Sequence, residues 1–272
     1  MTRRNHTSSE ASLRAQLREE IHRHLAPHRH TVLLGALITA FLVRPLIGDS
    51  PAGAAVFSLA LLALLLLALY NINVDEMAGD RETLLAQRRR RSIVGWALGI
   101  PAIAERLADA VASSHSLYLA GSILWLLLFG YITWNELRAV LKQKEITREV
   151  ISMSISVYLL FGLTFGLFYI VLHSLQPNAF GFGAGGPASE QQTIPVLIYF
   201  SLTTLSTIGF GDITPVTLQA RYAAVAEGIT GQFYLAILVA RLVGMQMSQS
   251  AGRVAEDQSR DSETRKSAER EN

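Results

Sequence analysis

Residues 193–212, TIPVLIYFSLTTLSTIGFGD, are the most informative part of this chain, because a short apolar stretch here is followed by a pair of glycines. Thr193 can cap a helix and Pro195 suits its first turn, so the sequence predicts a helix over 194–206. That helix is about 20 Å long, which is too short to span a bilayer of about 30 Å. We therefore expect it to enter a membrane from outside and to stop there, with its negative C-terminal dipole end inside.

The next five residues, Thr207, Ile208, Gly209, Phe210 and Gly211, must then return as non-helical backbone. Such backbone is tolerated at membrane depth only where it is buried in protein or lines a water-filled cavity. Consecutive carbonyls face one axis when ordinary and positive φ alternate, and the two glycines adopt positive φ without steric cost. These five residues are the candidate ion-binding segment, in which carbonyls and the Thr207 hydroxyl replace the water around a dehydrated cation.

The composition of the whole chain is that of a membrane protein. Of its 272 residues, 50% are hydrophobic and 17% are charged, whereas soluble domains carry about 25% charged residues. Long stretches such as 50–74 and 150–189 contain no Asp, Glu, Lys or Arg. The lack of cysteine excludes disulfides, thiolate metal sites and a cysteine nucleophile. The net charge of +2 is too small to indicate nucleic-acid binding.

Six segments are long and apolar enough to be predicted as transmembrane helices. They are 31–47, 51–72, 93–112, 116–134, 151–173 and 218–247. Twenty of the 24 Lys and Arg residues lie in 1–30, 75–92, 135–149 and 248–272. The positive-inside rule places those four segments in the cytoplasm. The sequence thus predicts an all-α integral protein of the plasma (inner) membrane, with six transmembrane helices, a re-entrant pore helix between the last two, and both termini cytoplasmic.

These segments divide the chain into five parts. They are a cytoplasmic N-terminal amphipathic segment (1–30), a four-helix peripheral membrane domain (31–134), a cytoplasmic linker (135–149), a pore domain (150–247) and a disordered cytoplasmic tail (248–272). The first part is expected to be amphipathic because large aliphatic residues recur at every fourth position from Leu13 to Leu25. The tail is predicted to be disordered because Val254 is its only large aliphatic residue, so that it cannot bury a core.

The sequence Thr207-Ile208-Gly209-Phe210-Gly211-Asp212 resembles the selectivity filter of the potassium-channel pore family, whose usual form is Thr-Val-Gly-Tyr-Gly. The resemblance covers 151–247 and includes Gly228 and Gly231, which are gating-hinge candidates because the family places its glycine hinge there. It implies a homotetramer in the lipid bilayer, since one loop cannot encircle an ion. It also implies potassium as the permeant ion and no other cofactor.

The resemblance further implies residues that support the filter. They are Thr203, Thr204, Ser206, Asp212, Tyr199 and Phe200. Tyr199 and Phe200 fall where many family members have two tryptophans that surround the filter. Thr203 stands where some bacterial members have a glutamate paired with the aspartate that corresponds to Asp212. Inactivation of the filter through that carboxyl pair is therefore not expected here.

Two charged residues, Arg221 and Glu227, lie within the last predicted span. An ionisable side chain inside a membrane is a functional hypothesis by default. Glu227 is expected either to face the outer helix or a neighbouring subunit near the filter, or to be held by Arg221, Tyr222 or a pore-helix hydroxyl. Arg241, near the inner end of the same span, is expected to extend to the membrane surface.

The sequence favours a potassium-selective channel, with a weakly selective cation channel as the alternative, because a filter sequence alone does not set ion preference. A transporter is less favoured since it would show paired broken helices in two related halves, and a non-conducting scaffold has no use for the filter glycines. An enzyme is not predicted, because the sequence has no nucleophile elbow, metal triad or phosphate loop. The four N-terminal spans resemble a voltage-sensing domain in number and orientation, but 113–134 contains no arginine.

Overall fold

The computed structural model describes residues 29–47, 67–68, 93, 95–101, 115–143, 145–183 and 190–271. Its elements, in chain order, are α1 (Arg29–Ile47), α2 (His115–Lys142), α3 (Arg148–Leu175), β1 (Phe180–Phe182), α4 (Glu190–Leu205), β2 (Ile213–Pro215) and α5 (Leu218–Glu271). The architecture is thus helical, with one short pair of strands.

Among the described residues, three helices are long and apolar enough to cross a membrane. They are Ser116–Lys142, Arg148–Leu175 and Leu218–Met247, and two shorter apolar helices cover His30–Leu42 and Gln192–Leu205. Nearly all of the predicted span 51–72, most of the predicted span 93–112 and nearly all of the N-terminal segment 1–30 lie outside the described residues. The number of six spans therefore stays a prediction.

Helices α2 and α3 extend beyond the spans predicted for them. α2 continues to Lys142, so the first half of the predicted linker 135–149 is helical. Hydropathy marks where a helix leaves the apolar layer, and its backbone hydrogen bonds continue into the polar region. α3 begins at Arg148 because the Thr147 side chain caps it, accepting a hydrogen bond of 3.3 Å from the Val150 amide.

The prediction of a disordered tail over 248–272 is wrong in the structure, where α5 continues to Glu271. A segment that cannot bury a core can still be helical if it extends a helix that already exists, because propagation needs no new nucleus. The tail contains no proline, and its sequence places Glu256 four residues before Arg260 and Asp261 four before Arg265. Acid–base pairs at this spacing favour a helix.

The short helix α4 also begins earlier than predicted, at Glu190 rather than 194. Thr193 is therefore a buried residue of the helix and not its cap. Glutamate and glutamine are good helix formers, which accounts for the additional turn formed by 190–192. Pro195 lies inside the helix as a result, where it lacks one backbone donor.

Helix α3 lies at the centre of the packing and contacts α1, α2, α4 and α5. One apolar core joins the first four helices and contains Leu33, Leu37, Trp125, Leu128, Phe129, Leu160 and Ile198. A second core lies around the last turns of α3 and contains Tyr169, Ile170, Phe180, Leu197, Phe200 and Ile213. The two cores hold α4 against α3 along most of its length.

The two strands were not anticipated by the all-α prediction. β1 and β2 are antiparallel, with Phe180 opposite Pro215 and Phe182 opposite Ile213. The pairing continues at one end, where the Gly183 amide donates to the Asp212 carbonyl at 2.9 Å. It thus ties the segment after α3 to the backbone that follows the candidate ion-binding segment.

Candidate functional site

The C-terminal end of α4 leads directly into the candidate ion-binding segment. The Thr207 amide donates to the Thr204 carbonyl at 3.0 Å, and the Ile208 amide donates to the Thr203 carbonyl at 2.9 Å. Thr207 itself has a φ of 60°. These two bonds and the left-handed residue form a Schellman motif, which ends a helix by turning the chain away from its axis.

Positive φ then recurs at every second residue. Gly209 has a φ of 53° and Gly211 a φ of 80°, as predicted from their spacing. The positive φ of Thr207 was not predicted, because threonine is an unusual residue in this region and its conformation is imposed by the cap of α4. Together the three residues alternate with Ile208 and Phe210, whose φ values are not positive.

The side chains of this segment are exposed in the single chain. Ile208 is 58% exposed and Phe210 is 68% exposed, although both are large and apolar. An added Cβ at Gly209 or Gly211 would meet no heavy atom within 4 Å. The requirement for glycine at these two positions is therefore conformational and does not come from lack of space.

Two of the predicted supporting residues, Tyr199 and Asp212, contact each other beside the segment. The Tyr199 hydroxyl interacts with the Asp212 carboxylate. The Tyr199 ring stacks on Phe210, with centroids 6.4 Å apart and planes inclined by 3°. One Asp212 oxygen also accepts from the Ile213 amide at 3.1 Å. Tyr199 thus contacts both a residue of the segment and the aspartate that follows it.

Phe200 points away from the segment and into the second core. Its ring lies edge-on to Tyr169, with centroids 5.2 Å apart, and to Phe180, with centroids 5.4 Å apart. Of the two residues expected to surround the filter, only Tyr199 contacts the candidate ion-binding segment. Phe200 anchors α4 to α3 and β1.

The hydroxyl residues near the end of α4 bond to their own helix. Thr203 donates to the Phe200 carbonyl at 2.9 Å, and Ser206 donates to the Leu202 carbonyl at 2.7 Å. The carbonyls of Thr203 and Thr204 accept the amides that cap the helix. Thr203 thus supports the turn from its position at the helix end, and its hydroxyl bonds to Phe200 and not to Asp212.

Glu227 of α5 is fully buried and lies between α3 and α4. The Tyr169 hydroxyl donates to its Oε2 at 2.6 Å, and its Oε1 is hydrogen-bonded to the Ser201 hydroxyl. Among the partners expected from the sequence, the one found is a hydroxyl of the short helix α4. Arg221 bonds elsewhere, because its Nε donates to the Pro215 carbonyl at 3.3 Å.

Three tyrosines that the sequence analysis did not single out connect the helices around this site. Besides Tyr169, Tyr158 donates to the carbonyl of Leu205, the last residue of α4, at 3.1 Å. Tyr234 of α5 donates to the Ser154 carbonyl in α3 at 2.7 Å. A tyrosine inside an apolar span has a hydroxyl that needs a partner, and this property could have identified all three from the sequence.

The two glycines predicted as hinges differ in their surroundings. A Cβ at Gly231 would lie 2.7 Å from the Leu205 carbonyl oxygen, whereas a Cβ at Gly228 would lie 3.9 Å from the Thr204 carbonyl oxygen. α5 runs through both residues without interruption. Gly231 therefore allows α5 to approach the end of α4 closely, and a hinge at either residue stays a prediction.

The ligands available for a cation at this site are backbone carbonyls. Within the described ranges, no group of three or more His, Asp or Glu side chains is placed to hold a metal ion. The segment 207–211 offers consecutive carbonyls on a backbone of alternating φ. Such donors suit a cation that exchanges its hydration shell for carbonyl oxygens.

Comparison with known proteins agrees with this geometry. The family model described as "Ion channel" matches residues 154–247. The potassium channel protein kcv of Paramecium bursaria Chlorella virus 1 is 33% identical over 72 residues, which are 26% of this chain and 76% of the viral protein. No solved structure matches the chain. The chain therefore belongs to the ion channel family and is of the potassium-channel type.

Proposed function

We propose that four copies of this chain assemble around one axis into a potassium-selective channel that conducts K⁺ passively. The observation that supports this most strongly is the alternation of positive φ at Thr207, Gly209 and Gly211 directly after α4. Alternation of this kind lets successive carbonyls face the same side of the chain. Rings of such carbonyls replace the hydration shell of potassium in a selectivity filter.

The electrostatics at the end of α4 favour the same function. α4 stops at Leu205, immediately before the proposed filter, so the negative end of its dipole lies beside the ion path. The segment between β1 and α5 that carries the filter contains no lysine or arginine. A cation approaching the filter therefore meets carbonyls and Asp212, with no fixed positive charge from this segment.

The open surfaces of the single chain support the proposed tetramer. One filter segment surrounds an ion on one side only, and its side chains Ile208 and Phe210 are largely exposed. An exposed apolar stripe also runs along α5, with residues spaced by three or four positions. It consists of Tyr222, Val225, Ile229, Phe233 and Ile237. In the proposed assembly these surfaces face neighbouring subunits or the axis.

The chain is proposed to lie in the plasma (inner) membrane with both termini in the cytoplasm. Support comes from the 20 Lys and Arg residues in the four segments outside the predicted spans. The segment between α3 and α5, which has no Lys or Arg, then faces the outside or dips into the membrane. The permeant ion would enter the filter from that face.

Purified protein in a planar bilayer, with potassium on one side and sodium on the other, tests the proposal. We expect a reversal potential close to that of potassium. A reversal potential near zero would instead favour a weakly selective cation channel, and the absence of any current from correctly inserted protein would reject conduction. Light scattering tests the assembly, for which we expect about four times the chain mass of 29.8 kDa plus the micelle. A conducting preparation that contains only monomers or dimers would contradict the tetramer.

A further inference from the structure

Glu227 is a buried carboxyl group that the filter chemistry does not use. It is 0% exposed, and it is surrounded by α3, α4 and its own helix α5. In the described part of the chain no lysine or arginine forms an ion pair with it, and Arg221 is bonded to Pro215. An ionised carboxylate without a cation is costly in such a place.

The hydrogen bonds around Ser201 indicate where a proton lies. The Ser201 hydroxyl is hydrogen-bonded to Glu227, and it is also 2.7 Å from the carbonyl oxygen of Gly162 in α3. A hydroxyl has one proton and so can donate to only one of these two acceptors. Both contacts are hydrogen bonds only if Glu227 carries a proton and donates to Ser201, while Ser201 donates to Gly162.

The second carboxyl oxygen completes this arrangement. Tyr169 donates its proton to Oε2 of Glu227 at 2.6 Å. A protonated Glu227 thus donates once and accepts once, and the chain of bonds from Tyr169 through Glu227 and Ser201 to Gly162 leaves none of these polar groups without a partner. The bonds connect the three helices α3, α4 and α5 behind the filter.

We propose that Glu227 is held in its protonated form and acts as a positioning residue, fastening α4 to α3 and α5 so that the filter keeps its conducting geometry. Ser201 lies six residues before Thr207, on the helix whose cap fixes the first filter residue. A displacement of α4 is therefore passed directly to Thr207. The effect on conduction rests on the proposed channel function.

The titratable groups that face Glu227 are few. From α3 these are the hydroxyls of Tyr169 and, farther away, Tyr158. α4 contributes the Ser201 hydroxyl, and its sequence contains one charged residue, Glu190, at the opposite end from the filter. None of these groups supplies a positive charge. Loss of the proton at high pH therefore leaves an uncompensated negative charge. The single Ser201 proton can then serve either Glu227 or Gly162 but not both, so one of the two bonds that fasten α4 is lost.

Infrared spectroscopy of the purified protein tests the protonation without any need for conduction. We expect a carboxylic acid C=O band at neutral pH that disappears reversibly on alkaline titration. The band should be missing in Glu227→Gln and present in Glu145→Gln, a matched control in which the acid is exposed in the turn between α2 and α3. If the wild-type and Glu227→Gln spectra showed the same acid bands, the proposal would be overturned.

Conductance measured against pH tests the positioning role. The wild-type conductance should fall as the pH rises through the range in which the band disappears. Glu227→Gln keeps one donor and one acceptor for Ser201 and Tyr169, so its conductance should stay constant over this range. A Gln variant that follows the wild-type pH profile would reject the role of Glu227. Absence of potassium current with the acid band still present would instead reject the channel function, so the two failures are distinguishable.

Discussion

The guanidinium of Arg241 in α5 donates from Nη1 to the backbone carbonyl of Val140 at 3.0 Å, at the C-terminal end of α2. Its Nη2 donates to the carbonyls of Leu141 and Gln143, both at 2.6 Å. The last carbonyls of a helix have no partners within it and carry the negative end of its dipole, which a guanidinium neutralises well. The guanidinium thus joins the end of α2 to α5, and the extension of Arg241 to the membrane surface stays a prediction.

Replacing Arg241 by Ala should destabilise the protein by about 1.5–3 kcal/mol, because hydrogen bonds to a charged group are lost. Unfolding of the detergent-solubilised protein in denaturant measures this loss. Arg138→Ala is the matched control, because Arg138 is exposed on the last turns of α2 and lies 4.6 Å from the Trp134 ring. Its loss should be about 0.5–1 kcal/mol, as for an exposed cation–π contact. Equal losses in the two variants would mean that the cap contributes nothing.

Replacing Gly209 or Gly211 by Ala should abolish potassium selectivity or conduction. A Cβ finds free space at both positions but requires a φ that L-residues avoid, at a cost of about 1–2 kcal/mol per site in each of four subunits. Reversal potentials in mixed potassium and sodium measure the effect. Gly35→Ala in α1 is the control, because an added Cβ there also meets nothing and the backbone is helical. Wild-type selectivity in Gly209→Ala would show that the filter is misassigned.

Gly231 and Gly228 distinguish close packing from a hinge. Gly231→Ala should destabilise the protein by about 1–3 kcal/mol, because its Cβ would clash with the Leu205 carbonyl at the end of α4. Gly228→Ala meets only an ordinary contact and should stabilise the helix by about 0.5–1 kcal/mol. Thermal unfolding of both variants measures the contrast. If the two variants were equally stable and lost gating to the same extent, a hinge would be favoured over close packing.

Tyr199→Phe should destabilise the outer end of the proposed filter by about 1 kcal/mol, because the interaction of its hydroxyl with Asp212 is lost while the stacking on Phe210 remains. Tyr199→Leu should lose a further 0.5–1.5 kcal/mol, roughly the contribution of an aromatic pair. Unfolding of the assembled protein in potassium measures both changes. A Phe variant as stable as the wild type would show that Asp212 does not depend on Tyr199.

The proposed channel should open with weak voltage dependence. Steep gating requires about three to four charges per subunit moving through the membrane field. The part of α2 before Asn135 contains no lysine or arginine, so this helix offers no such charges. Conductance measured against voltage in symmetric potassium gives the apparent gating charge. A value above about four per tetramer would place a voltage sensor elsewhere in the chain.

The sequence alone determined those features that depend on residue type and on neighbours along the chain. The alternate glycines predicted positive φ at 209 and 211, and the apolar segments predicted the positions of α1, α2, α3 and the membrane part of α5. The helix boundaries were less accurate, at Glu190 and Lys142 for example, because hydropathy reports the apolar layer and not the last backbone hydrogen bond.

The contacts between residues distant in sequence depend on how the helices pack. Glu227 bonds to Ser201 and Tyr169, which precede it by 26 and 58 residues. Arg241 caps a helix whose end lies about 100 residues before it. Even the positive φ of Thr207 depends on how α4 ends. A buried polar group must find some partner, so the sequence could predict that Glu227 has one. Which partner it finds depends on how the helices pack against each other, and local patterns along the chain do not reveal that packing.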